Sequence, residues 1–416
     1  MSPPRIAFLA YRGNMMSGGQ GVYLHALTRE LARLGHEIDV FVGPPYPDPM
    51  PWARVFEIEN YEFWGARFKK QPGAFLPRPD PLRIFEPLNF YEYAVTRFGF
   101  LPEPFAFSVR AARAVLAELR AGARYDLVHD VQSVSYGLLL LQRLGLPVVT
   151  TIHHPLTVDR RSSLIRDRTF SELKGTLTFY PVRTQARVAR RLDAVITSSE
   201  ASASEIELGF RVRRERIHQI GNGVTLPAPG SERTRPGSDE LLFVGRCGDP
   251  NKGLEHLLTA LARLPERVRL RVLDVFPLDT PLETQLRDLG LVERVSFVGK
   301  VSQDELERAY REASAVVVPS LFEGFGLPAI EALSVGTPVV ATRAGALPEV
   351  IAAAAAGRLV EPGDSAGLAK CVGEVLDDWE GEHRRALAAR SRIEATFAWP
   401  VVARRTAQVY ASLAHP

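Results

Sequence analysis

Short apolar runs alternate with longer amphipathic segments along most of this 416-residue chain. The run Ile6 to Ala10 precedes a segment in which Val22, Leu27, Leu31 and Leu34 recur at helical spacing before Gly35, and a second run, Glu37 to Val42, follows. Apolar runs closed by turn residues predict buried strands, and recurrence three and four apart predicts helices. Strand, helix and strand in that order make a βαβ unit and a parallel sheet. The alternation resumes with a helix ending over Val115 to Leu119, a strand over Tyr125 to Asp130, a helix over Tyr136 to Leu144 and a strand over Pro147 to Ile152. A strand and helix start over Asp193 to Glu200 and the turn Ile220 to Val224 close this half. The pattern restarts at Leu241 to Gly245 and runs through Leu270 to Val275, Val295 to Val301, an amphipathic helix over Glu305 to Ser314 and the strand Val316 to Val318.

Between the halves, Thr225 to Glu240 is rich in Pro, Gly and charge and reads as a linker. The chain exceeds the usual size of one core, so two domains are expected. The predicted fold class is α/β, with two Rossmann-like, doubly wound parallel-sheet domains over residues 1–224 and 241–396 and a terminal helix within 397–416. Residues 44–107 break the pattern. They hold twelve prolines and many aromatics, among them Trp52, Phe56, Phe85, Phe90, Phe98 and Phe105. So many rings argue against disorder and so many prolines against long helices, which predicts an elaborated loop region packed on the first domain. It either lines an acceptor groove for a sugar or lipid or packs its rings against one another.

Composition changes this picture little. Two cysteines, Cys247 and Cys371, cannot build a metal cluster or a disulfide framework, and a reducing compartment is the simpler reading. No signal-peptide pattern and no long uninterrupted apolar window occur, so a cytoplasmic protein is expected. The net charge of +3 conceals 29 Lys and Arg against 22 Asp and Glu through residue 224, and 22 against 26 beyond it. The first half is the one expected to meet an anionic surface. A basic stripe at Arg183, Arg187, Arg190 and Arg191 suits acidic headgroups at the inner face of a membrane, although the absence of a matching apolar face favours a solvated helix.

The chemistry concentrates in VVVPSLFEGFGLPAIEALSVGTPVVATRAGALPEV, residues 316–350. A buried strand ends at Pro319-Ser320, and Glu323-Gly324-Phe325-Gly326-Leu327 leads into a short helix closed by Gly336. Glycines bring backbone N–H groups close to an anion, and a helix N-terminus adds partial positive charge. Glu323 and Glu331 sit beside that anion site. Carboxylates there would repel a bare phosphate, but they suit the hydroxyls of a sugar nucleotide. Arg246, at a strand end, and Lys252, before a helix start, suit a diphosphate whose charge grows as a sugar leaves. This is no Walker A loop, because Gly-Lys-Ser/Thr is absent. Gly18 and Gly19 open the first helix, but Leu24 and Asp39 spoil a dinucleotide fingerprint, leaving close backbone approach to a ligand as their use. The strand over Pro147 to Ile152 delivers His153 and His154 at the end where ligands of open α/β sheets bind.

Glu323, seven intervening residues and Glu331, set among Pro319-Ser320, Gly324-Phe325-Gly326, Glu331-Ala332, Gly336 and Pro338, resemble the signature of family 4 retaining glycosyltransferases of the GT-B fold. The resemblance spans nearly the whole chain apart from residues 44–107. It implies two domains facing a central cleft, with the donor in the second and the acceptor in the first, and a terminal helix that crosses back to the first. It places Arg246 and Lys252 on the donor phosphates, Gly18 and Gly19 facing the diphosphate, and Gly324, Phe325, Gly326 and Leu327 as amide donors. Glu323 is placed on sugar hydroxyls, Glu331 on the ribose, His153 near the reacting sugar, and Lys300 and Val301 by the nucleobase. His154 falls one place along, toward the acceptor. Two departures are Thr225 where Asp is common and Asp274-Val275-Phe276-Pro277 where relatives often have a glycine pair.

The expected activity is transfer of a hexose-type sugar from a nucleotide sugar, UDP- or GDP-linked, to a sugar, polyol or lipid-linked acceptor, with retention. No cofactor or metal and no nucleic-acid partner are expected. A sugar-nucleotide epimerase or hydrolase on the same fold, and a non-catalytic sugar-nucleotide-binding protein, are the alternatives.

Overall fold

The computed structural model describes residues 4–15, 19–61, 63, 80–98, 100–153, 155–157, 182–226, 236–276, 278 and 280–414. Gly18, His154 and residues 159–174 lie outside the described residues, as does most of the linker. The chain forms two compact units. One comprises Met1–Ser198, Ser202–Gly223 and Val402–Pro416, and the other Ser199–Ala201 and Val224–Val401.

The first unit is built on a seven-stranded parallel sheet: β1 (Arg5–Ala10), β2 (Glu37–Val42), β3 (Arg54–Glu57), β4 (Leu127–Val131), β5 (Val148–Thr151), β6 (Ala194–Thr197) and β7 (Ile217–Gln219). The spatial order is β3-β2-β1-β4-β5-β6-β7. Phe8 of β1 pairs with Val40 on one side and His129 on the other, which makes β1 an interior strand, and every residue of the run Ile6 to Ala10 is buried. That is why it reads as continuously apolar instead of alternating. The sheet core continues through Phe107, Val115, Leu138 and Val148, with helix Glu103–Arg120 packed against helix Tyr136–Arg143.

Residues 44–107 correct the sequence expectation. They hold the edge strand β3, a 3₁₀ turn over Pro81–Phe85, the helix Pro87–Arg97 and the start of the helix Glu103–Arg120. Pro87 and Pro104 fall in the first two positions of their helices, where a missing N–H costs nothing, so these prolines start helices instead of preventing them. Some rings do pack together. Phe56 stacks on Phe41 at 4.6 Å, and Tyr91 lies 5.0 Å from Phe105. Phe85, Phe90 and Phe98 remain more than half exposed.

The second unit has six parallel strands, β8 (Glu240–Val244), β9 (Arg269–Leu273), β10 (Val295–Phe297), β11 (Ala315–Val318), β12 (Val339–Thr342) and β13 (Arg358–Val360). Their order is β10-β9-β8-β11-β12-β13. Apolar clusters cover both faces, one around Ala329, Leu333 and Val350 and the other around Leu257, Val272 and Val372. In each sheet the chain reverses its direction of winding beside its first strand, between β1 and β4 and between β8 and β11. Loops leaving such a switch point open outward and form the natural ligand crevice of a doubly wound sheet. No helix among the described residues is long and apolar enough to cross a membrane.

Candidate active site

The switch point of the second unit gathers most of the sequence-predicted residues. The loop leaving β8 carries Arg246, which is exposed and has no carboxylate partner among the described residues. A 3₁₀ turn, Pro250–Lys252, follows. Asp249 caps it by accepting from the Asn251 N–H at 3.0 Å, and Pro250 occupies its start. Gly253, at φ 69°, then turns the chain into helix Leu254–Leu261. A Cβ on Gly253 would lie 2.0 Å from the Pro319 carbonyl oxygen, so the loop after β8 is pressed directly on the loop after β11. The Leu321 N–H donates to the Asn251 carbonyl at 2.7 Å across the same seam.

That seam brings Lys252 to Glu323, Nζ to Oε2, at 2.8 Å. Ser320 Oγ donates to the same carboxylate oxygen at 3.3 Å. The Glu323 backbone is fixed as well: its carbonyl accepts from the Ala346 N–H at 2.9 Å, and a Cβ on Gly345 would fall 2.0 Å from that oxygen. Beyond Glu323 the chain enters helix Leu327–Ser334 through Gly326, whose φ of 94° only glycine adopts readily. The Phe325 ring is buried, edge-on to Phe397 at 5.5 Å, so its side chain belongs to the core and only its backbone remains for an anion. Pro328 occupies the second position of the helix, and Gly336, at φ 84°, follows the helix end as expected.

Glu331 lies on the second turn of that helix, held by a residue that the sequence did not single out. Tyr310 donates its hydroxyl to Glu331 Oε2 at 2.7 Å. Burial pushes the Glu331 carboxyl up to about 7, with the Tyr310 hydrogen bond opposing the shift. Tyr310 reads in the sequence as one more apolar-face position of an amphipathic helix, and nothing local indicates where its hydroxyl reaches.

Lys300 is exposed and Val301 half-buried on the turn after the edge strand β10. No hydrogen bond among the described residues joins either to Arg246, Lys252 or Glu323. Asp274 supplies the link between the two loops. Its carboxylate accepts from the Cys247 N–H at 2.6 Å and its carbonyl from the Gly299 N–H at 3.0 Å. The position that departs from the family pattern therefore ties the Arg246 loop to the Lys300 turn.

In the first unit, Gly19 begins helix Gly19–Arg33, and a Cβ there would meet nothing within 4 Å. Gly21 is the sterically required glycine, because its Cβ would sit 2.2 Å from the Asn14 carbonyl oxygen. His153 lies two residues past the end of β5. Its Nδ1 lies 3.1 Å from Asn222 Oδ1, and the Tyr23 ring meets it edge-on at 4.5 Å. With an oxygen as partner, Nδ1 carries the proton, which leaves the buried Nε2 as an acceptor without a partner among the described residues. Burial pushes this imidazole down to about 4, so it is neutral at pH 7. Behind it, His129 sits between Tyr410 and Thr151, hydrogen-bonded through both ring nitrogens.

Residues 17–226 match the family described as Glycosyltransferase Family 4, and residues 229–393 match Glycosyl transferases group 1. The chain is 38% identical to the MMP alpha-(1->4)-mannosyltransferase of Mycolicibacterium hassiacum over 98% of its own length and 97% of the relative's. It is 31% identical to the glycogen synthase of Mycobacterium tuberculosis, covering 94% and 91% of the two chains. Among solved structures, sucrose-phosphate synthase from Thermosynechococcus elongatus superposes with a TM-score of 0.72 at 24% identity, over 99% of both chains.

Proposed function

The chain belongs to the family 4 glycosyltransferases of the GT-B fold, and from that premise we propose that it transfers a mannosyl unit from a nucleoside-diphosphate mannose, with retention and without a divalent metal. The acceptor in this reading is the 4-hydroxyl of a mannoside, by the similarity to the mycobacterial α-(1→4)-mannosyltransferase. The observation that carries the chemistry is the seam between the loops after β8 and β11. It sets Lys252 on Glu323, with Arg246 on the first loop and a glycine-led helix N-terminus closing the second.

The second unit holds the donor. Arg246, Lys252 and the amides of residues 324–327 stabilise the diphosphate as negative charge develops on it, in place of a metal ion. Lys252 keeps donors beyond the one spent on Glu323, because an ammonium has three. Glu323 Oε1 takes no partner among the described residues and is assigned to sugar hydroxyls, while Glu331 takes the ribose. The first unit takes the acceptor, with His153 serving the reacting sugar. The acceptor oxygen bonds to the anomeric carbon on the face from which the diphosphate oxygen departs. The acceptor's proton passes to that leaving oxygen, and a nucleoside diphosphate is released. An α-linked donor then gives an α-linked product.

The test incubates the purified chain with GDP-mannose, UDP-glucose or ADP-glucose, with and without a mannoside acceptor and with EDTA, and assigns the product anomer by NMR. GDP release that requires the acceptor, persists in EDTA and gives an α product supports the proposal. Release without acceptor would make the protein a hydrolase, and a β product or loss of activity in EDTA would overturn the mechanism.

A further inference from the structure

We propose that Gln132 is a positioning residue for the transfer step, a strained turn after β4 fixing its amide oxygen on the backbone N–H of His153. The inference rests on His153 serving the reacting sugar, as assigned above, and adds how His153 is held. Gln132 Oε1 accepts from the His153 N–H at 2.7 Å, and its own N–H donates to the Thr151 carbonyl at 2.9 Å. It thereby ties the end of β4 to the end of β5 at the switch point of the first sheet. Without it, the His153 backbone would leave the strand with its N–H unanswered.

The turn that presents Gln132 is costly. Gln132 has a φ of 65° and Val134 a φ of 41°, both in the left-handed region, where a β-branched residue such as Val134 is an outlier. Such backbone persists only where the surroundings over-determine it, and it clusters at functional sites. Here the buried carboxylate of Asp130 over-determines it by accepting from the Val134 N–H at 3.0 Å, from Thr150 Oγ1 at 2.7 Å and from Ser133 Oγ. A turn needed only to join β4 to helix Tyr136–Arg143 would be served by glycine at either position. The strain is explained if the Gln132 side chain has to point back at His153.

The experiment compares Gln132→Met, which keeps the volume but not the acceptor, with Gln132→Gly, which also removes the φ strain. In both, kcat with GDP-mannose is expected to fall by on the order of 10²-fold, the scale of an ångström-sized misplacement. Donor KM should stay near wild type, and Tm should fall by only a few degrees for the lost hydrogen bond, less in the glycine variant, where the φ strain is relieved as well. Amide hydrogen exchange at His153 should accelerate at least about tenfold, since the N–H loses its acceptor. Unchanged exchange at His153 in Gln132→Met, or wild-type kcat in both variants, would overturn the proposal. So would kcat falling only in step with Tm. If the wild-type chain transfers nothing, the functional reading fails, and the exchange measurement still decides whether Gln132 holds His153.

Discussion

Lys252 Nζ lies 2.8 Å from Glu323 Oε2, so the cation at the loop after β8 and the carboxylate at the loop after β11 act as one unit. The sequence suggests separate tasks for them, phosphate for one and sugar hydroxyls for the other. The structure makes each the other's support. Lys252→Ala is expected to lower kcat/KM by about 10²- to 10³-fold, and Arg246→Ala similarly, with the fold intact by circular dichroism. Because Lys252 and Glu323 share one interaction, Lys252→Ala combined with Glu323→Gln should cost clearly less than the two single losses together. A double-mutant cycle on kcat/KM checks this, and additive losses would separate the two residues.

Glu331 titrates near neutrality, raised from 4.5 to about 7 mainly by burial. Between those values the folded chain holds a proton that the unfolded chain has released, so this group's contribution to stability falls as pH rises from 4.5 to about 7 and levels off above. Binding has the opposite trend, since ribose hydroxyls are held by the ionised form. GDP-mannose affinity should rise with pH through about 7, by up to about tenfold per unit below it. Tyr310→Phe removes the hydrogen bond that opposes the shift and should move the rise to higher pH. Titration calorimetry from pH 5.5 to 8.5 on the wild type, Tyr310→Phe and Glu331→Gln checks this, and Glu331→Gln should bind weakly without the dependence.

Gly253 is required twice over, by its φ of 69° and by the Pro319 carbonyl 2.0 Å from where a Cβ would sit. Gly253→Ala must open the seam between the two loops. It should destabilise the chain by about 1–3 kcal/mol in urea denaturation. It should also lower kcat by more than that loss of folded protein explains, because Lys252 is the preceding residue.

Tyr410 is buried in the first unit with its hydroxyl on His129 Nδ1. Burial pushes the His129 imidazole down to about 3, so it is neutral in the folded chain at pH 7. Tyr410→Phe leaves a buried ring nitrogen without its partner, at about 1–3 kcal/mol. Thermal unfolding of that variant should show the loss, while GDP-mannose KM stays unchanged.

The βαβ alternation was legible because a strand covered on both faces must be apolar throughout, and Ile6 to Ala10 and Val316 to Val318 are. Turn glycines were legible where the backbone itself needs them, as at Gly326 and Gly336. Prolines misled over residues 44–107, because Pro87 and Pro104 block a helix interior but suit a helix start, and composition does not distinguish the two. Tyr310 and Gln132 carried no local signal, and Asn222 and Asp274 stood out only as a turn residue and a departure from the family pattern, with nothing to indicate their partners. Each is an ordinary residue type whose use depends on a partner between 21 and 69 positions away.

The sequence by itself determined the fold class, the family and the residue types on the loops leaving β8 and β11, because local periodicity and motif spacing are properties of the chain alone. Only the tertiary structure decided that Lys252 is paired with Glu323, that half-buried Glu331 accepts the Tyr310 hydroxyl, and that Gln132 holds the backbone of His153. Those depend on distance and on exclusion of water, and both arise only when segments remote in sequence are packed side by side.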